Sequence, residues 1–258
     1  MALLDPVTMS SPIGKVRSGE VSKSKDGETP TQAVRTLASP LAQAVRHIYP
    51  VLLFSLFLLR FDALVADPVA AMSSSLPVVA AMQVVYAVTC LPPAGSQTTK
   101  PARKLRPGEK KKPGSESMGP SIAVTTLVAL ILSSITSLAL YGILILFGAP
   151  FLTHVPQTFL CSTHMAALGL FPLFYTRGVS SKDWLEVLSA QAPFDEAFGG
   201  LTGACLGAWL GAVPIPLDWD REWQKWPITI LCGVYSGYLT GKIVGGTLAF
   251  GKRFQSPG

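Results

Sequence analysis

The sequence predicts an all-α, multi-pass membrane protein of about six transmembrane helices, the last two packed through glycine zippers. Three observations carry this reading. The 258-residue chain has a mean hydropathy of +0.41 and only 14% charged residues, against about 25% in soluble domains. Its charges gather before His47, between Lys100 and Glu116 and between Arg177 and Glu196, and the apolar runs between these clusters are about 20 residues long, enough to cross a hydrocarbon layer of about 30 Å. Glycine recurs at every fourth residue in the two C-terminal runs.

Residues 1–46 are rich in Ser, Pro, Thr and Lys. They hold too little apolar surface to offset the entropy of folding, which predicts a disordered cytosolic tail. No apolar core follows the first basic residues directly, so the tail is not read as a cleavable signal peptide, and the first span acts as the insertion signal. The membrane domain is expected over 47–250. Its spans are about Ile48–Ala66, Val69–Leu91, Ser121–Ala149, Val155–Thr176, Phe198–Leu217 and Pro227–Phe250. Arg60 and Asp62 sit near the end of the first span, and the second is diluted by Ser73, Ser74, Ser75 and Pro77. The third is long enough to tilt. Residues 92–120, rich in Pro, Gly and Lys, read as a flexible linker, and 251–258 as a second cytosolic tail.

Orientation follows from Lys and Arg in the flanking loops. Lys100, Arg103, Lys104, Arg106, Lys110, Lys111 and Lys112 follow the second span, Arg177 and Lys182 the fourth, and Lys252 and Arg253 the sixth. With six spans these fall on one side with the basic N-terminal region. Both termini are therefore expected in the cytosol. The Lys-rich linker reads first as a topology marker, with an anionic-lipid site as the sharper alternative.

In the fifth span Gly199, Gly203, Gly207 and Gly211 recur in steps of four, and in the sixth Gly233, Gly237, Gly241 and Gly245 do the same. Such steps lay the glycines along one slowly turning ridge, where another backbone can approach closely. Either the two ridges pack on each other, or one docks a helix of another subunit. Between these spans, Pro214 and Pro216 disfavour further helix and Pro227 suits the start of the next. The intervening Asp218, Trp219, Asp220, Arg221, Glu222, Trp223, Lys225 and Trp226 form a lumenal rim. With partial helicity Trp219, Trp223 and Trp226 share a face, their indoles at the lipid boundary and the charges in water. The rim is either an aromatic anchor or a contact for a partner or lipid head group.

Catalytic signatures are sparse. Cys90, Cys161, Cys205 and Cys232 stand apart with no metal-ligand spacing and read as small packing residues. His164 is intramembrane, hence a functional candidate, though a hydrogen bond to a neighbouring helix is the simpler role. Lys242 lies about one turn from the cytosolic end and can snorkel there. Phe194, Asp195 and Glu196 mark the cytosolic entry of the fifth span, where negative charge favours a helix N-terminus. The chain shows no phosphate-cradling glycine loop, nucleophile elbow or HExxH. No catalytic residue, metal, cofactor or nucleic-acid partner is expected.

The stretch FDEAFGGLTGACLGAWLGAVPIPLDWDREWQKWPITILCGVYSGYLTG, within about 193–245, closely resembles the signature region of the PIG-F family of glycosylphosphatidylinositol (GPI) anchor biosynthesis. QTFLCSTHMAALGLFPLFYTRG in the fourth span resembles the fungal branch. Glu222 stands where the family often has proline, which loosens the turn. The resemblance implies an endoplasmic reticulum membrane protein. It implies pairing with larger multi-span transferases that add ethanolamine phosphate to mannoses of the GPI precursor, and a setting among membrane lipids. This chain lacks the metal-dependent lumenal domain such transferases carry, so the expected role is a non-catalytic, stabilising accessory subunit. The alternative is a lipid transporter or flippase for a GPI precursor or phosphatidylethanolamine. That would need a polar path, yet the third, fifth and sixth spans carry no acidic residue within the membrane and the halves show no inverted repeat. A membrane-embedded transferase is a third reading, and it would have to draw its general base from Asp218, Asp220, Glu222 or His154.

Overall fold

Chain order sets up three antiparallel crossings, each built from a helix rising from the basic end of the molecule and one returning to it. The computed structural model describes residues 31–96, 121–217 and 219–254, all within one compact unit, Thr31–Gly258. The expected tail up to residue 30, most of the Lys-rich linker, Asp218 and residues 255–258 lie outside the described residues. The helices are α1 (Pro40–Leu59), α2 (Phe61–Ala66), α3 (Pro68–Cys90), α4 (Ile122–Leu146), α5 (Val155–Met165), α6 (Phe171–Arg177), α7 (Ser181–Leu188), α8 (Glu196–Ala212) and α9 (Ile228–Gly246). A π-helical turn, Ala166–Leu170, joins α5 to α6. Among the described residues, six helical stretches are long and apolar enough to cross a membrane.

Local chemistry explains the boundaries. Ser39 accepts from Ala42 N and Pro40 occupies the first turn, so α1 starts ahead of the expected Ile48. This corrects the expectation of a disordered tail to Arg46. Residues 31–46 are held by the rest of the molecule: Leu37 N donates to Cys90 O (2.8 Å), Thr31 Oγ1 to Asp183 Oδ1 (2.7 Å), and Val34 is buried. Asp67 caps α3 by accepting from Val69 N and Ala70 N at 3.0 and 3.1 Å, ahead of Pro68. Pro172 brings no N–H to the ladder, and the Gln83 amide of α3 donates instead to the Leu168 carbonyl one turn earlier, at 3.1 Å.

The fourth span, α5 to α6, is the centre of the bundle. Its apolar window is 78% buried, against 17% for the windows of α1 and α4. Gly169 lets Leu201 of α8 come close, since a Cβ there would meet Leu201 Cδ1 at 2.9 Å. Helix α7, which the span reading did not anticipate, begins at a Ser180 cap. It sets Trp184 against Phe174 at 4.4 Å between ring centroids and leaves Leu185 and Leu188 exposed, the pattern of a helix lying along a membrane surface.

Candidate functional site

The two glycine rows meet face to face. A Cβ built on Gly199, Gly203, Gly207 or Gly211 would lie 1.9–2.4 Å from a backbone oxygen of the α9 segment, and one on Gly233, Gly237, Gly241 or Gly245 would lie 2.0–2.4 Å from one of the α8 segment. The Cβ faces of the two rows are therefore turned on each other, so the rows pack α8 against α9. The seam lets the two backbones touch, which in lipid is a principal source of helix association.

At the basic end of this pair the FDE motif makes two buried ion pairs. Asp195 caps α8 by accepting from Phe198 N (2.8 Å), as expected of a carboxylate at a helix start. Its other oxygen accepts from Arg177 Nη2 (2.7 Å) and Val34 N (3.2 Å). Glu196 ties three helices together: one oxygen accepts from Arg46 Nε of α1, the other from the Tyr86 hydroxyl of α3 and from Lys242 Nζ of α9 (2.8 Å). The Lys242 and Glu196 side chains are 3% and 5% exposed. Lys242 thus turns inward instead of snorkelling to the surface. Its ammonium lies 4.2 Å from the Tyr86 ring centroid, a cation–π contact in a desolvated setting. Phe194 packs tilted against Phe198 at 5.1 Å and meets Phe254 edge to face at 5.2 Å.

Arg46, Tyr86 and Arg177 were not singled out from sequence as site residues. A signal for the cluster was present: a lysine within an apolar span needs a nearby carboxylate, and Asp195 and Glu196 stand at the entry of the adjoining span. Deeper in the bundle, Gln83 also donates to the Tyr238 hydroxyl (3.2 Å), which lies 3.3 Å from that of Tyr49. His164 is buried and makes the expected interhelical bonds, with Nδ1 2.8 Å from the Tyr235 hydroxyl and Nε2 3.1 Å from Met72 O.

At the opposite end the rim is ordered by Gln224. Its Oε1 accepts from Trp219 N (3.0 Å) and Arg221 N (3.3 Å), and its Nε2 donates to Pro214 O (2.9 Å). This closes the turn that Glu222 was expected to loosen. Trp219 and Trp223 pair edge to face at 5.7 Å. Trp226 does not join them. Its indole N–H donates to Thr158 Oγ1 of α5 (2.9 Å), because the segment is made of short 3-10 turns and extended residues, not one helix carrying all three indoles on one face. Trp219, Asp220 and Arg221 are exposed. Among the described residues no three His, Cys, Asp or Glu side chains gather as a metal site.

Six apolar helices, a glycine seam and ion pairs closed between helices define an all-helical, polytopic membrane protein whose polar interior joins one helix to the next. The chain belongs to the GPI biosynthesis protein family Pig-F, whose model matches residues 48–246. It is 53% identical to a glycosylphosphatidylinositol anchor biosynthesis protein 11 of Neurospora crassa, over 98% of this chain and 100% of the relative. It is 41% identical to the protein of that name in Aspergillus fumigatus, over 82% and 81%. A mouse relative called the stabilizing subunit of GPI ethanolamine phosphate transferase is 35% identical over 45% of this chain and 55% of its own length. No solved structure matches the chain.

Proposed function

We propose that this protein is the non-catalytic, stabilising subunit of a GPI ethanolamine phosphate transferase. It resides in the endoplasmic reticulum membrane and supports addition of ethanolamine phosphate to mannoses of the GPI precursor by a larger multi-span partner. The observation that carries this reading is family membership across 48–246, joined to the name of the mouse relative. The glycine seam fits such a role: it fuses α8 and α9 into one rigid hairpin, and the hairpin presents the exposed rim of Trp219, Asp220 and Arg221 as a surface for partner or lipid head group. The test is turnover by purified complex at matched subunit content. A general acid or base contributes roughly 10²–10⁴-fold, so Asp220→Asn and His154→Ala should leave turnover of assembled complex at the wild-type level. A loss of that size with normal assembly would place catalytic groups in this chain.

The Lys and Arg bias of the loops supports a topology with the basic side and both termini in the cytosol. Glycosylation-acceptor tags after Gln255 and beside Gln224 report on this. The tag at the rim should be modified and the C-terminal tag should not, and the reverse pattern would invert the topology.

A further inference from the structure

We propose that the outward side of the α8–α9 pair binds an acyl chain of an anionic glycerophospholipid whose phosphate meets Lys252. A groove of about 960 Å³ runs along this side. The glycine seam lines its floor. Leu206 and Leu210 wall it from α8, Thr240 and Val244 from α9. Its lining hydroxyls offer no free donor: Thr202 donates to Phe198 O (2.9 Å), Ser236 to Cys232 O (2.6 Å) and Thr240 to Ser236 O (2.8 Å). Recognition within the groove is therefore apolar.

The basic end of the groove favours a lipid chain as its occupant. There Leu188 at the end of α7 lines the groove together with Phe194 and Phe254. The Phe194 backbone pairs with the C-terminal turn through Phe194 N to Lys252 O and Gly251 N to Phe194 O, both 2.8 Å. Leu188, Phe194 and Phe254 give this end of the groove an apolar lining that suits the methylenes of an acyl chain. Two residues before Phe254, Lys252 is exposed, while neighbouring Arg253 is held by Glu186 (3.2 Å) and Gln191 O (3.3 Å). Lys252, whose backbone carbonyl accepts from groove-lining Phe194, thus offers an exposed positive charge beside this end of the groove, and that charge complements a lipid phosphate.

This inference concerns the chain by itself and does not rest on the transferase assigned above. Its test uses purified full-length protein in phosphatidylcholine vesicles containing a phosphatidic acid with a photoactivatable acyl chain. After irradiation, label should concentrate on Leu206 and Leu210 over Ile131 and Ile135 of α4, which are 51% and 58% exposed and report ordinary bilayer contact. Unlabelled phosphatidic acid should compete about fivefold better than phosphatidylcholine, the change expected for one basic residue beside an anionic lipid. Lys252→Glu should remove that preference and leave the groove label. Thr240→Trp should remove the groove label and leave that of α4. Equal labelling of the groove and α4 in the wild-type protein, a measurement that needs no variant, would overturn the proposal. Absence of a head-group preference would overturn the role of Lys252. Groove label lost on co-purification with the transferase, together with failure of Thr240→Trp to co-purify, would make the groove a helix site and overturn the lipid assignment.

Discussion

Gly207→Ala should separate α8 from α9 and strip the protein of stability and of its partner together. The new Cβ would sit 1.9 Å from Gly233 O and 2.9 Å from Gly237 Cα. Both are backbone atoms, so no side chain can swing aside, and the helices must part by roughly an ångström or more to restore ordinary contact. Overpacking of this kind costs about 1–3 kcal/mol and occasionally more. A second substitution in the same row should add less than the first, because Gly203 and Gly207 share one rigid interface and its contacts are already lost. Gly142→Ala in α4 is the control. Nothing lies within 4 Å of its Cβ position, and alanine there gains up to about 1 kcal/mol of helix propensity. Thermal unfolding in detergent beside co-purification with the transferase reads both effects. Wild-type behaviour of Gly207→Ala in both assays would mean that the seam contributes nothing.

Glu196→Gln should be the most destabilising single change at the basic end. The amide keeps the shape but removes the charge, leaving Lys242 buried and Arg46 beside it with no compensating carboxylate. Removing one member of a buried pair costs about 3–5 kcal/mol. Lys242→Met alone should also destabilise, by stranding Glu196 against Arg46 alone. The double variant Glu196→Gln/Lys242→Met should be more stable than Glu196→Gln, because an apolar replacement of the lysine removes the uncompensated charge. Unfolding midpoints of the three variants decide this. A double variant no better than Glu196→Gln would show that packing, not charge, sets the cost.

The seam and the cluster were legible to different degrees, for physical reasons. Glycine at every fourth residue is a local regularity, so the close-packing ridges of α8 and α9 were readable in the chain. Which partner each ridge takes is a tertiary fact, and the facing rows supplied the answer. The same limit applied to the charges. Asp195 as a cap is a local bond to Phe198 N and was anticipated. Glu196 meets partners 150, 110 and 46 residues away, and of these only Lys242 was signalled in the sequence, as a lysine within a span whose neighbour opens on a carboxylate. The start of α1 was missed because hydropathy put the span at Ile48 although Ser39 and Pro40 carry a local start signal, whereas the contacts of Val34, Leu37 and Arg46 with Asp195, Cys90 and Glu196 are tertiary and no composition argument contains them.

The sequence by itself determined the class of the protein and its family: six apolar runs of membrane-crossing length, a single basic side, two glycine rows and the FDE and DWDR signatures. These are properties of composition and short-range spacing, which hydrocarbon thickness and helix periodicity translate directly into structure. The tertiary structure decided that the fourth span is the centre of the bundle and that the rows close on each other. It also turned Trp226 away from the rim and made Glu196 the junction of α1, α3 and α9. Those outcomes depend on which helices lie side by side, and in lipid that choice is made by backbone proximity and by pairing of buried polar groups across the bundle.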